Sequence, residues 1–191
     1  EGRSRQVPDG GPNRVFYRQP VAGNNAAPNQ LIRVVRWDDM EHWASGVSEV
    51  NYETITCDDP NRRFFTNRNI GENRGAYAGS SDRSSLVFTR GCTIESGHTI
   101  SDVYHYLSGI QAAREARGDT SVMHLSHLFL GPSAGTEMRS RIVIRVIGES
   151  AVGLARTLDS TMEGNVGIGT PTNAPAEYCQ DPTLTRSYIV Y

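Results

Sequence analysis

The sequence predicts an α+β fold: a mixed or antiparallel sheet core, one long amphipathic helix over about 101–117, and an extended N-terminal arm. Three observations predict it. The chain holds several β-branched runs of strand length, one stretch with apolar residues three and four apart, and clusters of Gly, Pro and Asn between them. With 191 residues, 37 % hydrophobic and 21 % charged, a single core is expected and a disordered chain is excluded. The reading divides the chain into a Gly/Pro/Asn-rich arm, 1–30, and one globular domain, 31–191.

The elements follow in order. Pro8-Asp9-Gly10-Gly11-Pro12 and Gly23-Asn24-Asn25 are turn clusters around a short strand at 14–18. Leu31 to Trp37 reads as a strand, and the acidic residues Asp38, Asp39 and Glu41 suit the start of a short helix. Val47 to Cys57 is a further strand, with Val50, Tyr52 and Ile55 inward, and 60–85 is a polar surface loop carrying Arg62, Arg63, Arg68 and Arg74. Ser85 to Thr89 is a short buried strand. The helix rests on Val103, Tyr104, Leu107, Ile110 and Ala113, with Ser101 as its cap and Gly118 as its stop. Strands follow at 122–130 and 138–147; the second puts Ile142, Ile144 and Val146 on one face and Arg139, Arg141, Val143 and Arg145 on the other. A short helix at 149–158, a turn-rich stretch at 164–182 and a last strand at 187–191 complete the reading.

All nineteen basic residues are Arg, and the formal charge is -2. Arg keeps its charge in every environment, whereas Lys is also a ubiquitin acceptor, so a lysine-free chain suits either planar anion recognition or survival after entry into a eukaryotic cytosol; codon usage is the bland alternative. The near-neutral balance disfavours a dedicated nucleic-acid binder. No apolar run is long enough for a membrane span, and the N-terminus, without Met or an apolar signal core, reads as a trimmed product. Cys57, Cys92 and Cys179 fit no zinc spacing, so no metal is expected. In an oxidising compartment one pair forms a disulfide and the third is left for a partner chain, with Cys179 the candidate exposed thiol.

Familiar motifs have simpler readings. Arg117-Gly118-Asp119 spells an adhesion tripeptide, but Gly118 stands where a helix end needs a left-handed residue. His124 and His127, three apart on a strand, face opposite ways and make a poor zinc pair. His98 and His105 lack a nucleophile elbow, and Gly167-Ile168-Gly169 is too short for a phosphate loop. The Arg face of 138–147, with the Arg-bearing loop at 62–74, can bind phosphates or pair with the chain's own acids.

Arg18 at the end of a Val-Phe-Tyr-Arg strand, the hydroxyl-bearing strand Ser85 to Thr89, and Glu137 at the start of a later strand come in an order that resembles the functional elements of the bacterial ADP-ribosylating toxins. The sequence departs from that family at two places: Leu86 to Arg90 is not a Ser-Thr-Ser motif, and Gly135-Thr136-Glu137 supplies one Glu where the arginine-modifying branch has two. The resemblance implies a secreted, toxin-like catalytic chain that uses NAD and a host protein acceptor. Arg18 would hold phosphate, Ser85 or Thr89 support the site, and Glu137 serve as catalytic carboxylate, with Glu149 as the reserve. A competing reading is a viral coat or other self-assembling, homo-oligomeric shell subunit, resting on the arm, the many short strands and the terminal strand.

Overall fold

The computed structural model describes residues 10–23, 31–47, 63–131, 140–165, 174–177 and 179–190. Eight strands and three helices occur there. In chain order they are β1 (Arg14–Gly23), β2 (Ile32–Arg36), α1 (Met40–Val47), β3 (Phe64–Ile70), β4 (Ser84–Ile94), α2 (Ile100–Glu115), β5 (Val122–Leu130), β6 (Arg141–Ile147), α3 (Ala151–Asn165), β7 (Ala176–Glu177) and β8 (Thr183–Ile189). The strands form one curled, half-barrel sheet in the order β2-β1-β8-β4-β6-β5-β3, with β7 added to β4, and every pairing is antiparallel.

This overturns the expected α+β core built around one long amphipathic helix. The molecule is mostly antiparallel sheet, and its three helices are short. The reason lies in the width of the helical stripe. In α2 only Val103, Leu107 and Gln111 are buried, at i, i+4 and i+8, while Ile110 and Ala113 lie in solvent. So narrow a stripe covers a sheet but does not organise a core. The core comes instead from alternate strand residues, Ile70, Cys92, Met123, Leu125, Ile142 and Val146, closed over by Val103 and Leu107 of α2 and Leu154 of α3.

The strand expected at 14–18 within the arm is present and runs further, to Gly23. Arg14–Gly23 is a full strand inside the sheet, between β2 and β8. Pro20 suggests an end to the strand, but β2 pairs only as far as Arg18 and a register shift follows Pro20, so the missing N–H costs no ladder bond. Part of the expected loop at 60–85 is also strand. β3 is polar because it is the last strand of the sheet, with Thr66, Asn67 and Arg68 exposed. The strand expected after Val47, with Val50, Tyr52 and Ile55, falls outside the described residues.

Local chemistry sets the ends of α2. Thr99, not Ser101, is its cap: the Thr99 hydroxyl accepts from the Asp102 N–H at 3.3 Å, and the Asp102 carboxylate accepts from the Thr99 N–H at 2.7 Å. Gly118 takes φ 84° just beyond the helix, where a side chain would be strained. Asp119 then turns inward to Arg114 at 2.8 Å, to the Ser121 N–H at 2.8 Å and to the Thr157 hydroxyl at 2.8 Å, tying α2 to α3. Burial pushes its carboxyl up, but the hydrogen bonds from Ser121 and Thr157 and the charge of Arg114 outweigh it and hold the group low. The tripeptide acid is therefore committed within the fold.

A disulfide joins Cys92 of β4 to Cys179 across 87 residues of sequence. It closes a long loop and stabilises the fold by roughly 4.6 kcal/mol in the chain-entropy account. A link from Cys179 to a partner chain would require exchange of this bond; Cys57 lies outside the described residues. The disulfide is compatible with an oxidising compartment. Among the described residues no helix is long and apolar enough to cross a membrane.

Candidate functional site

Alternation gives each strand two faces, and the face turned away from α2 and α3 is unusually polar. Arg18 of β1 lies opposite Ser187 of β8, and Ser187 lies opposite Ser85 of β4. Two rungs along, Thr183, Thr89, Arg145, His124 and Asn69 form a row across β8, β4, β6, β5 and β3. Between the two polar rows runs a buried rung of Thr185, Val87, Ile147 and Val122.

Arg18 anchors one corner. Its side chain is 8 % exposed, and its Nε finds no hydrogen-bond partner among the described residues. A dry, unmet donor of this kind costs about 1–3 kcal/mol or more. Burial pulls its pKa down, and the neighbouring Tyr77 phenol opposes that shift. Tyr77 holds a left-handed φ of 65° in the loop between β3 and β4, stacks on Phe16 at 5.7 Å, and donates its hydroxyl to Ser187 Oγ at 2.8 Å. A non-glycine residue at such a φ stores strain that its surroundings must overcome. Here the surroundings are that stacking, the phenol's hydrogen bond and a backbone bond from Tyr77 N–H to the Gly148 carbonyl at 3.1 Å. Ser85 Oγ donates to the same Gly148 carbonyl at 2.8 Å, so the end of β6 and the start of Glu149 are drawn to this corner.

Arg145 anchors the diagonal corner. Its Nη1 donates to Ser126 Oγ, and the guanidinium stands 5.5 Å from the Phe65 ring centre. Ser126 Oγ donates in turn to Asn67 Oδ1 at 2.7 Å, and Asn67 Nδ2 faces His124 Nδ1 at 3.4 Å. The amide orientation, with Asn67 Oδ1 toward Ser126 and Nδ2 toward His124, sets the polarity of this chain. Arg can only donate, so the Ser126 hydrogen must go to Asn67, whose amide then donates to His124 and requires Nδ1 to be an acceptor. His124 is thus neutral, with its proton on Nε2. Burial first, and then the charges of Arg145, Arg18, Arg36 and Arg74, push its pKa down to about 4. Burial and the charge of Arg18 lower Arg145 to about 9.

Among the described residues one sign of charge therefore dominates the groups acting on this face. No described carboxylate is among the groups acting on Arg18, Arg145 or His124. The described acids with lowered pKa values answer to other partners: Asp82 to Ser80 and Ser84, Asp102 to Thr99, and Glu115 to Asn73, Gln111 and Glu72. Such a face attracts anions. No group of three or more His, Cys, Asp or Glu that could hold a metal occurs among the described residues.

Of the residues singled out in the sequence, Arg18 and Ser85 share one row through Ser187, and Thr89 lies on the same face opposite Arg145. Glu137 lies outside the described residues. Arg145 was legible as part of an arginine face, but Tyr77, Ser187, Asn67, Ser126 and the role of His124 were not. A signal existed in two stretches: Thr183, Thr185 and Ser187 alternate with Leu184, Arg186 and Tyr188, and His124 and Ser126 alternate with Met123 and Leu125. No protein-family model, curated protein or solved structure matches the chain.

Proposed function

We propose that the polar face binds NAD through its phosphates, and that the chain is a secreted, toxin-like enzyme transferring ADP-ribose to a host protein. The observation that carries this reading is the single row Arg18, Ser187, Ser85, with Thr89 on the same face: Arg18, read as the phosphate holder, and Ser85 and Thr89, read as supporting the site, come from separate strands and share one face of the sheet. A guanidinium suits a phosphate oxygen, and the hydroxyls of Ser85 and Ser187, held by Gly148 and Tyr77, support the site. In the reaction the N-glycosidic bond breaks with its electron pair leaving on nicotinamide. The acceptor's nucleophile bonds the anomeric carbon and gives up its proton, so nothing is oxidised or reduced.

A carboxylate near that carbon stabilises the cationic transition state, the role assigned to Glu137. The test is nicotinamide release from NAD in the presence of cell lysates. Wild type should release it, and Glu137→Gln should reduce release by orders of magnitude with folding intact, because a carboxylate acting on developing charge works mainly in the transition state. No release by wild type across several lysates removes the reading. Equal release by wild type and variant moves the catalytic role to another carboxylate, Glu149 first, since it follows the Gly148 carbonyl that holds Ser85.

A further inference from the structure

We infer that α1 is a detachable strap: docked, it ties together β2 and β3, the two edges of the curled sheet; released, it opens the polar interior while the sheet stays folded. The inference goes beyond the reading above and does not depend on it.

Ser85, Ser126 and Ser187 are 0 % exposed, yet α2 and α3 pack on the opposite face. The curl of the sheet covers them instead. Arg36 of β2 is among the charges acting on His124 of β5, although four strands stand between β2 and β5 in the sheet order. The two ends of the sheet therefore come round toward each other and leave a seam between β2 and β3, which are not paired with each other among the described residues. A ligand reaches the buried hydroxyls only after some part of the molecule moves.

α1 crosses that seam. It begins three residues after β2, and its Trp43 ring stands edge-on to the ring of Phe64, the first residue of β3, at 5.0 Å. Phe64 leans in turn on Phe129 of β5 at 6.1 Å. On the β2 side, His42 stands edge-on to Trp37 at 5.0 Å, and its Nε2 donates to the Gly11 carbonyl at 3.0 Å. Gly46 permits the close fit: a Cβ there would lie 2.6 Å from the Gly10 carbonyl oxygen and 2.6 Å from the Trp37 ring, closer than a side-chain carbon approaches.

The fit is specific but shallow. No residue from Met40 to Gly46 is buried, so α1 adds little apolar burial to the fold. A helix of eight residues is too short to persist in water by itself, and it keeps its shape only while docked. Sparse burial and few tertiary ties set such an element at the low end of local stabilities, below the strands of the core. Release of α1 therefore costs less than unfolding the sheet.

The chain's two tryptophans, Trp37 and Trp43, both report on this docking. In a urea titration of the full disulfide-bonded chain, tryptophan emission should shift to the red at lower urea than that at which the far-ultraviolet circular dichroism of the sheet is lost. Coincident transitions would make α1 part of the single cooperative unit and overturn the strap. Access to the interior is read by iodoacetamide alkylation of Thr185→Cys, at a position 3 % exposed on the polar face, with the label located by peptide mass. Adding Gly46→Ala should speed labelling at position 185 about tenfold or more and leave the dichroism transition in place. Alanine raises helix propensity, so the loss would come from docking alone, its Cβ having no room against Gly10 and Trp37. Trp43→Ala, which removes the anchor on Phe64, should do the same. An unchanged labelling rate in both variants, or a dichroism midpoint that falls in step with the emission midpoint, would each overturn the inference. The urea comparison is made on the unaltered chain and needs no variant to fold.

Discussion

The two faces of this sheet are written in the same strands, one residue out of phase, and differ in polarity, although Tyr77, Val87 and Ile147 form a small apolar cluster on the polar side. On the helix side, Cys92, Met123, Leu125, Ile142 and Val146 meet α2 and α3 in a dry cluster. On the other side, the neighbouring residues include Thr89, His124, Ser126 and Arg145, held by hydrogen bonds and facing a concentration of positive charge. The difference teaches a division of labour. A period of two lets one face be spent on hydrophobic burial, which tolerates no charge, while the other holds desolvated cations that weaken the free protein and favour an anionic ligand.

The largest effect expected from this division is on the helix side. Leu107→Asp should destabilise the chain by about 4 kcal/mol or more and abolish a cooperative thermal transition at moderate temperature, because Leu107 is 6 % exposed in the core cluster. Ile110→Asp, one turn along but 38 % exposed, should change stability by less than about 1 kcal/mol. Similar melting temperatures for the two variants would mean that α2 does not bury this stripe.

The next effect belongs to the polar side and depends on pH. His124 is neutral in the fold with its pKa lowered to about 4, against an ordinary 6.5. Between those values the unfolded chain binds more protons than the folded one, so this histidine's contribution is full above about pH 6.5 and is lost as pH falls toward 4. The loss is at most roughly 3.4 kcal/mol, read as the slope of denaturant-derived stability against pH. His124→Asn should flatten that slope. An unchanged slope would show that His124 is not held neutral. The carboxylates with lowered pKa values, Asp119 among them, give up their contributions at lower pH still, so the windows are separable.

The smallest effect sharpens the comparison most. Arg18→Met should leave the stability of the free protein within about 1 kcal/mol of wild type or raise it, since an apolar side chain of similar length removes a desolvated charge and an unmet donor. A loss of several kcal/mol, measured by denaturant unfolding, would make Arg18 a structural member of the sheet.

Legibility divides along the same line. The strand at 122–130 and, over Arg141–Ile147, the strand expected at 138–147 were readable because their apolar residues alternate, and the parity of Ile142, Ile144 and Val146 against Arg145 holds in the structure. The α+β architecture was misread because the periodicity of α2 counts Ile110 and Ala113 as core, although neighbouring strands leave them nothing to pack against. β1 and β3 were underrated because Pro20 and a run of polar residues depress strand propensity, which the part of β1 beyond its pairing with β2 and the edge strand β3 tolerate. On the polar face, Arg18, Ser85 and Thr89 could be named from their residue types, but not the partners Ser187, Tyr77 and Asn67, which come from other strands and loops.

The sequence by itself determined the alternation that splits most strands into an apolar and a polar face, the Arg-only cationic chemistry, and the helix that begins near residue 100. Those properties are local, set by side-chain period and residue type. Only the tertiary structure decided that β8 inserts between β1 and β4 and so sets Arg18 in line with Ser187 and Ser85. It alone joined Cys92 to Cys179, and it alone ordered the donors from Arg145 to His124. Each of these depends on pairing residues between about 20 and 170 positions apart in the chain, and long-range register follows from which faces the whole sheet can bury together, which no local pattern contains.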